Sequence, residues 1–260
     1  MTDVGRVRAK NEDNGLVVAE KSLFVVADGM GGHSSGEVAS KISVEAVQEC
    51  FCGSTSDSLA RTAFKAWNTQ KSDVDRKRNF HEFRLWQSLR TANLQIYNRA
   101  QRYAQYRDMG TTIVATYFVG KRVYLGHVGD SRVYRLRDGQ LVQLTEDHSL
   151  ANEYVKMKIL RKEDVPRFPY KNVIVRALGL SSEVEVDTAY KQCRHDDLYM
   201  LCSDGLTDLV TDEEIKDLLE TSDGVESSCH DLIRAANDRG GLDNISVLIV
   251  RLLDKGSFKK

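Results

Sequence analysis

Apolar positions along this chain repeat in two periods, which divide it into strands and helices. Leu16 to Ala19 and Leu23 to Ala27 read as a strand pair around Glu20-Lys21-Ser22. Thr111 to Val119, Arg122 to His127, Arg132 to Leu136 and Gln140 to Leu144 read as a meander. Its turns are Gly120-Lys121, Gly129-Asp130 and Arg137-Asp138-Gly139. Asp197 to Cys202 and Ile245 to Leu253 are apolar enough to be central strands. Between these runs the helical period takes over. Ser35 to Cys50 carries Val38, Ile42, Ala46 and Val47 on one face, with Ser34 or Ser35 as cap. Glu82 to Ala104 carries Phe83, Trp86, Leu89, Leu94, Ile96 and Tyr97. Thr211 to Glu214 forms a capping box that opens Ile215 to Glu220. A last helix spans Val225 to Asp238 and stops at Gly240-Gly241.

Mostly antiparallel strands with paired helices predict an α+β fold of two packed sheets with helices outside. Two segments stand apart. Gly53 to Phe80 is polar, with a helix expected around Leu59 to Trp67 and a loop after it. His148 to Asn172 holds both prolines, Pro166 and Pro169, and reads as an excursion from the meander. No Pro/Gly/Ser-rich linker divides the chain, so one domain over residues 1–254 with a tail at 255–260 is expected.

Composition narrows the function classes. The chain is 41% hydrophobic and 29% charged with net charge −1, so no overall field draws it to nucleic acid. No run approaches the ~20 apolar residues of a membrane span. The first residues carry no signal core, and the five cysteines show no paired spacing. A cytoplasmic monomer with inert thiols is expected.

The candidate chemistry lies in five acidic motifs: Asn11-Glu12-Asp13, Asp28-Gly29-Met30-Gly31-Gly32, Gly129-Asp130-Ser131-Arg132, Ser203-Asp204-Gly205 and Asp243-Asn244. Asp28 and Asp204 end apolar strands and are followed by glycine, and Asp243 stands at a strand entrance. A lone aspartate in such a place is ordinary turn chemistry. A set converging from several strand ends repels itself unless cations sit among it. Oxygen ligands select Mg²⁺ or Mn²⁺, and six carboxylates exceed what one ion needs. A pair of ions bridged by one aspartate and a water, which ionises to hydroxide, would use them. Arg8 could grip a phosphate there, or be an ordinary surface arginine. His33 is a candidate proton donor, or a structural loop histidine.

Taken in order, Val7 to Asp13, Val26 to His33, Gly110-Thr111-Thr112, His127 to Arg132, Leu201 to Leu206 and Gly241 to Ser246 resemble the type 2C, or PPM, metal-dependent serine/threonine protein phosphatases. Asp-Gly-Met-Gly-Gly-His points to the bacterial branch, and the resemblance spans essentially the whole chain. It implies an αββα sandwich with a metal cleft at one end of the sheets. Asp28 would bridge two ions, Mn²⁺ or Mg²⁺. Asp204 and Asp243 would hold the first, and Glu12 with the Gly29 carbonyl the second. Asp130 and Asp204 would form a third site. Asp13, and beside Asp243 also Asn244, would act from outside the ligand shell. Arg8 would bind the substrate phosphate, and residues from about 148 to 172 would be the flap. Met30 stands where animal members carry a proton-donating histidine, so the resemblance gives His33 no such role. Phosphorylated proteins are the implied substrates, and a cognate serine/threonine kinase is an implied partner. A non-catalytic scaffold would be expected to lose acids, and none is missing. An enzyme of free nucleotides would need a nucleotide motif, and none is present.

Overall fold

Alternation along β3 (Leu23–Met30) sorts its side chains to two sides of a sheet. The computed structural model describes residues 1–31, 35–70 and 78–253. In it Leu23, Val25 and Ala27 join a core shared with helices, and Phe24 and Val26 one shared with a second sheet. β3 pairs with β2 (Asp13–Val18) on one side and β5 (Ile113–Val119) on the other. The sheet continues through β6 (Arg122–Val128) to an edge strand, β9 (Asp187–Gln192). The short β4 (Gly110–Thr111) pairs with the end of β3. The opposing sheet runs in the order β1 (Thr2–Asp3), β11 (Ile245–Arg251), β10 (Leu198–Cys202), β7 (Arg132–Arg137) and β8 (Gln140–Gln143).

Helices cover both outer faces. α1 (Ser35–Cys52) and α3 (Phe80–Arg102) pack on the sheet of β3. α2 (Ser56–Gln70) lies on α1 and α3. α4 (Leu150–Lys156) follows β8, and the one-turn α5 (Asp204–Thr207) follows β10. α6 (Asp212–Thr221) and α7 (Val225–Asp238) cover the other sheet. Apolar side chains thus form three layers, the middle one holding Val114, Leu125, Val133, Tyr199 and Leu201 between the sheets. Each such buried side chain contributes about 1.5–3 kcal/mol. Phe118 joins the sheets by an edge-on contact with Tyr199, ring centres 5.2 Å apart.

The predicted αββα arrangement is the one observed, but the meander is not. β6 and β7 do not pair; they lie in different sheets. Gly129-Asp130 is therefore a crossover between the layers, not a hairpin turn. Both strands have apolar side chains on both faces, so each needs a helix layer on one side and a sheet on the other. Gly129 makes the bend at φ +106°, where a Cβ would come within 2.6 Å of the Thr112 side chain. The crossover buries Asp130, which the turn reading would leave in water.

Within the 53–80 segment residues 56–70 are helical, more than predicted, and the loop expected after the helix falls largely outside the described residues. Phe64 and Trp67 of α2 stack against Phe83 and Trp86 of α3, with ring centres 4.9–6.1 Å apart. Asn79 caps α3 by accepting from the main-chain N–H groups of His81 and Glu82. The 148–172 excursion contains α4 and touches strand geometry only at a Ser149–Ile174 bridge. His33 and the 255–260 tail lie outside the described residues. Among those described, no helix is long and apolar enough to cross a membrane.

Candidate metal centre

The acids arrive from both sheets. Asp13 opens β2 and stands directly across from Asp28 in the β2–β3 register. Asp204 is the first residue of α5, just beyond the end of β10, and Asp243 immediately precedes Asn244 and β11. Asp130 joins them at the crossover. Glu12 is drawn in through its main chain: its N–H donates to Asn244 Oδ1 at 2.8 Å, and its carbonyl accepts from Gly29 N at 3.2 Å. Asn244 also donates through Nδ2 to the carbonyls of Val4 and Lys10, at 3.0 and 2.9 Å. One buried amide therefore ties the segment carrying Arg8 and Glu12 to the segment carrying Asp243. A side chain at Gly29 would place Cβ 2.2 Å from the Gly36 carbonyl oxygen, so only glycine allows this backbone approach.

Crowding of like charge marks the cluster. Burial, then the charges of Asp13, Asp204 and Asp130, hold the Asp28 carboxyl well above the usual range. Burial, with Asp130, Asp208 and Asp243, pushes Asp204 up to about 8. Asp130 is raised to about 7, chiefly by burial and then by Asp147, and burial raises Asp13 to about 6. Glu12 is also raised by burial. Oδ1 of Asp13, of Asp130 and of Asp204 are all buried without a hydrogen-bond partner among the described residues. Such oxygens are costly unless something meets them. Hard divalent cations fit this all-oxygen donor set. Arg8, about half exposed, donates from Nη2 to Asp243 Oδ2 at 2.7 Å.

Several supports had no role in the sequence reading. Thr111 Oγ1 and Thr112 N both donate to the Asp28 carbonyl at 2.8 Å, and Thr112 Oγ1 accepts from Asp28 N at 3.1 Å. Thr112 Oγ1 also meets Ser131 Oγ at 2.7 Å, linking the Asp28 strand to the crossover. Arg132 grips Asp147 with both Nε and Nη2, at 2.7–3.0 Å. The signal was a polar pair, Thr111-Thr112, opening an apolar run where exposed side chains would be out of place.

A second group, His127, His148 and Asp187, has metal-like proximity. Arg176 already supplies its cation: Nη1 donates to Asp187 at 2.8 Å and lies 3.0 Å from His148 Nε2. His148 Nδ1 accepts from Gly129 N at 3.0 Å, so this group braces the crossover.

Beside Asp130 and Asp204 opens a cavity of about 330 Å³, walled on its far side by Val165, Pro166, Lys171 and Asn172 of the excursion. Lys171 Nζ and Asn172 Nδ2 both donate to Asp208, at 3.0 and 2.5 Å.

Comparison with known proteins decides the family. The family described as Protein phosphatase 2C matches residues 6–246. The chain belongs to the protein phosphatase 2C family. A serine/threonine phosphatase, stp, of Listeria welshimeri is 38% identical over 260 residues, covering 98% of this chain and 96% of the relative. The crystal structure of the Mycobacterium tuberculosis serine/threonine phosphatase PstP/Ppp superposes with a TM-score of 0.82 at 35% identity, covering 97% of each chain. A second structure, the PstP catalytic domain in complex with two manganese ions, gives a TM-score of 0.78 at 34% identity, covering 98% of this chain and 96% of that one. Phosphatases of this family are hydrolases that depend on Mn²⁺ or Mg²⁺.

Proposed function

We propose that this phosphatase hydrolyses phosphoserine and phosphothreonine in proteins at the acidic cleft. The observation that carries the proposal is the convergence of Glu12, Asp13, Asp28, Asp130, Asp204 and Asp243, with three buried carboxylate oxygens that have no hydrogen-bond partner among the described residues. Asp28 is assigned to both ions, Asp204 and Asp243 to the first, and Glu12 with the Gly29 carbonyl to the second. Asp130 with Asp204 is assigned a third site. Bound there, Mn²⁺ or Mg²⁺ supplies an activated water and offsets charge on the phosphoryl oxygens.

The chain's own residues do the rest. Arg8 lies at the rim, exposed enough to exchange its carboxylate partner for two oxygens of a substrate phosphate. Asp13 and Asn244 act from behind the ligands, the first by its buried carboxylate and the second by fixing Glu12. No role is assigned to His33. Residues 148–172 form the flap, and the cavity beneath it receives the substrate chain around the phosphorylated residue. Residues 1–254 act as one catalytic unit. Relatives named as bacterial serine/threonine phosphatases support phosphoproteins as substrates. A serine/threonine kinase is the proposed source of those phosphates.

The test is phosphate release from a phosphothreonine peptide with Mn²⁺ and with excess chelator. Release is expected only with the metal. Release that persists in chelator overturns the proposal.

A further inference from the structure

Ser203 stands between the end of β10 and Asp204, and it is fully buried. Its Oγ accepts the Ser246 N–H at 2.9 Å and donates to Asp13 Oδ2 at 2.8 Å. A serine hydroxyl carries a single hydrogen. The N–H of Ser246 occupies a lone pair, so that hydrogen is turned toward Asp13; the other acceptor in reach, the Asn244 carbonyl, is at 3.4 Å. Asp13 belongs to one sheet, Ser246 belongs to the other, and Ser203 directly follows a strand of that other sheet. The bond therefore crosses between the sheets in the buried part of the cluster. It engages one Asp13 oxygen, and Oδ1 is the oxygen left buried with no hydrogen-bond partner among the described residues.

We propose that Ser203 is a positioning residue: its hydroxyl, set by the β11 main chain, fixes the Asp13 carboxylate so that Oδ1 serves the metal centre. This rests on reading Asp13 as an outer carboxylate of that centre. The serine of Ser203-Asp204-Gly205 then has a task of its own, since one neighbour in sequence is a ligand and its bonded partner lies 190 residues away.

The test is Mn²⁺ titration calorimetry on the full chain, with melting temperature followed in parallel. Ser203→Ala is expected to weaken Mn²⁺ binding about tenfold, as outer-shell changes do. Ser203→Cys, of similar volume with a weaker donor, is expected to fall between alanine and the parent, which keeps the test valid if the alanine variant folds poorly. In an Asp13→Asn background, Ser203→Ala should change the affinity by less than about twofold, the mark of acting through Asp13. Parental affinity in Ser203→Ala, alongside a loss in Asp13→Asn, overturns this inference alone. Parental affinity in Asp13→Asn overturns the assignment of Asp13 and this inference with it.

Discussion

Arg8 Nη2 and Asp243 Oδ2 are 2.7 Å apart, although 235 residues separate them in the chain. Both side chains are partly exposed, at 53% and 36%, so the pair is worth only about 0–1 kcal/mol. A phosphate dianion in the cleft offers Arg8 two oxygens in place of one. Arg8→Ala is therefore expected to raise KM for a phosphothreonine peptide about tenfold or more, with a smaller effect on kcat. An unchanged KM would remove Arg8 from phosphate binding.

Asp28 touches the problem from the other side, as the carboxylate surrounded by three others. Asp28→Asn is expected to lower turnover by more than the roughly 100-fold that outer-shell changes reach. It should also weaken Mn²⁺ binding. Turnover within about tenfold of the parent at saturating Mn²⁺ would refute its shared-ligand role.

The raised carboxyls carry a sign for stability. The Asp204 group binds its proton up to about pH 8 in the folded chain, far above its unfolded value. Its contribution is complete below the unfolded pKa and is lost as pH rises through the folded one. Metal-free Asp204→Asn, which carries no such charge, should therefore melt progressively higher than the parent as pH goes from 5 to 8.5. The gap at the upper end is expected to be at least ~2 °C. Comparing the two proteins cancels the buried His127, whose lowered pKa has the opposite slope. A gap that stays constant or narrows across this window would count against the buried, repelling cluster.

Asp208 holds the 148–172 excursion, the proposed flap, by two exposed hydrogen bonds, from Lys171 and Asn172. Loss of about 1 kcal/mol there corresponds to a roughly fivefold shift toward an open flap. Asp208→Ala should speed tryptic cleavage at Lys162 and Arg167 by about that factor. Equal cleavage rates would mean the flap is held elsewhere.

Much of this centre was legible because its acids sit in a repeated local grammar, an apolar run followed by Asp-Gly or preceded by Asp-Asn. Asp28, Asp204 and Asp243 all follow it. The crossover was not legible. A Gly-Asp between two strands reads the same whether the second strand pairs with the first or leaves for another sheet, since only long-range packing chooses. β9 was missed because Asp187 to Gln192 is a polar edge strand with little inward alternation. Ser203 was missed as a support because a serine before Asp-Gly reads as a turn former, and its partners are distant in sequence.

The proposed ligand set is divided between the two sheets, with Asp28 in a strand of one and Asp204 and Asp243 flanking strands of the other. The filling between those sheets, with Val26 two residues before Asp28 and Leu201 three before Asp204, therefore sets the spacing of the proposed ligands. Trimming either side chain would act like shaving a spacer.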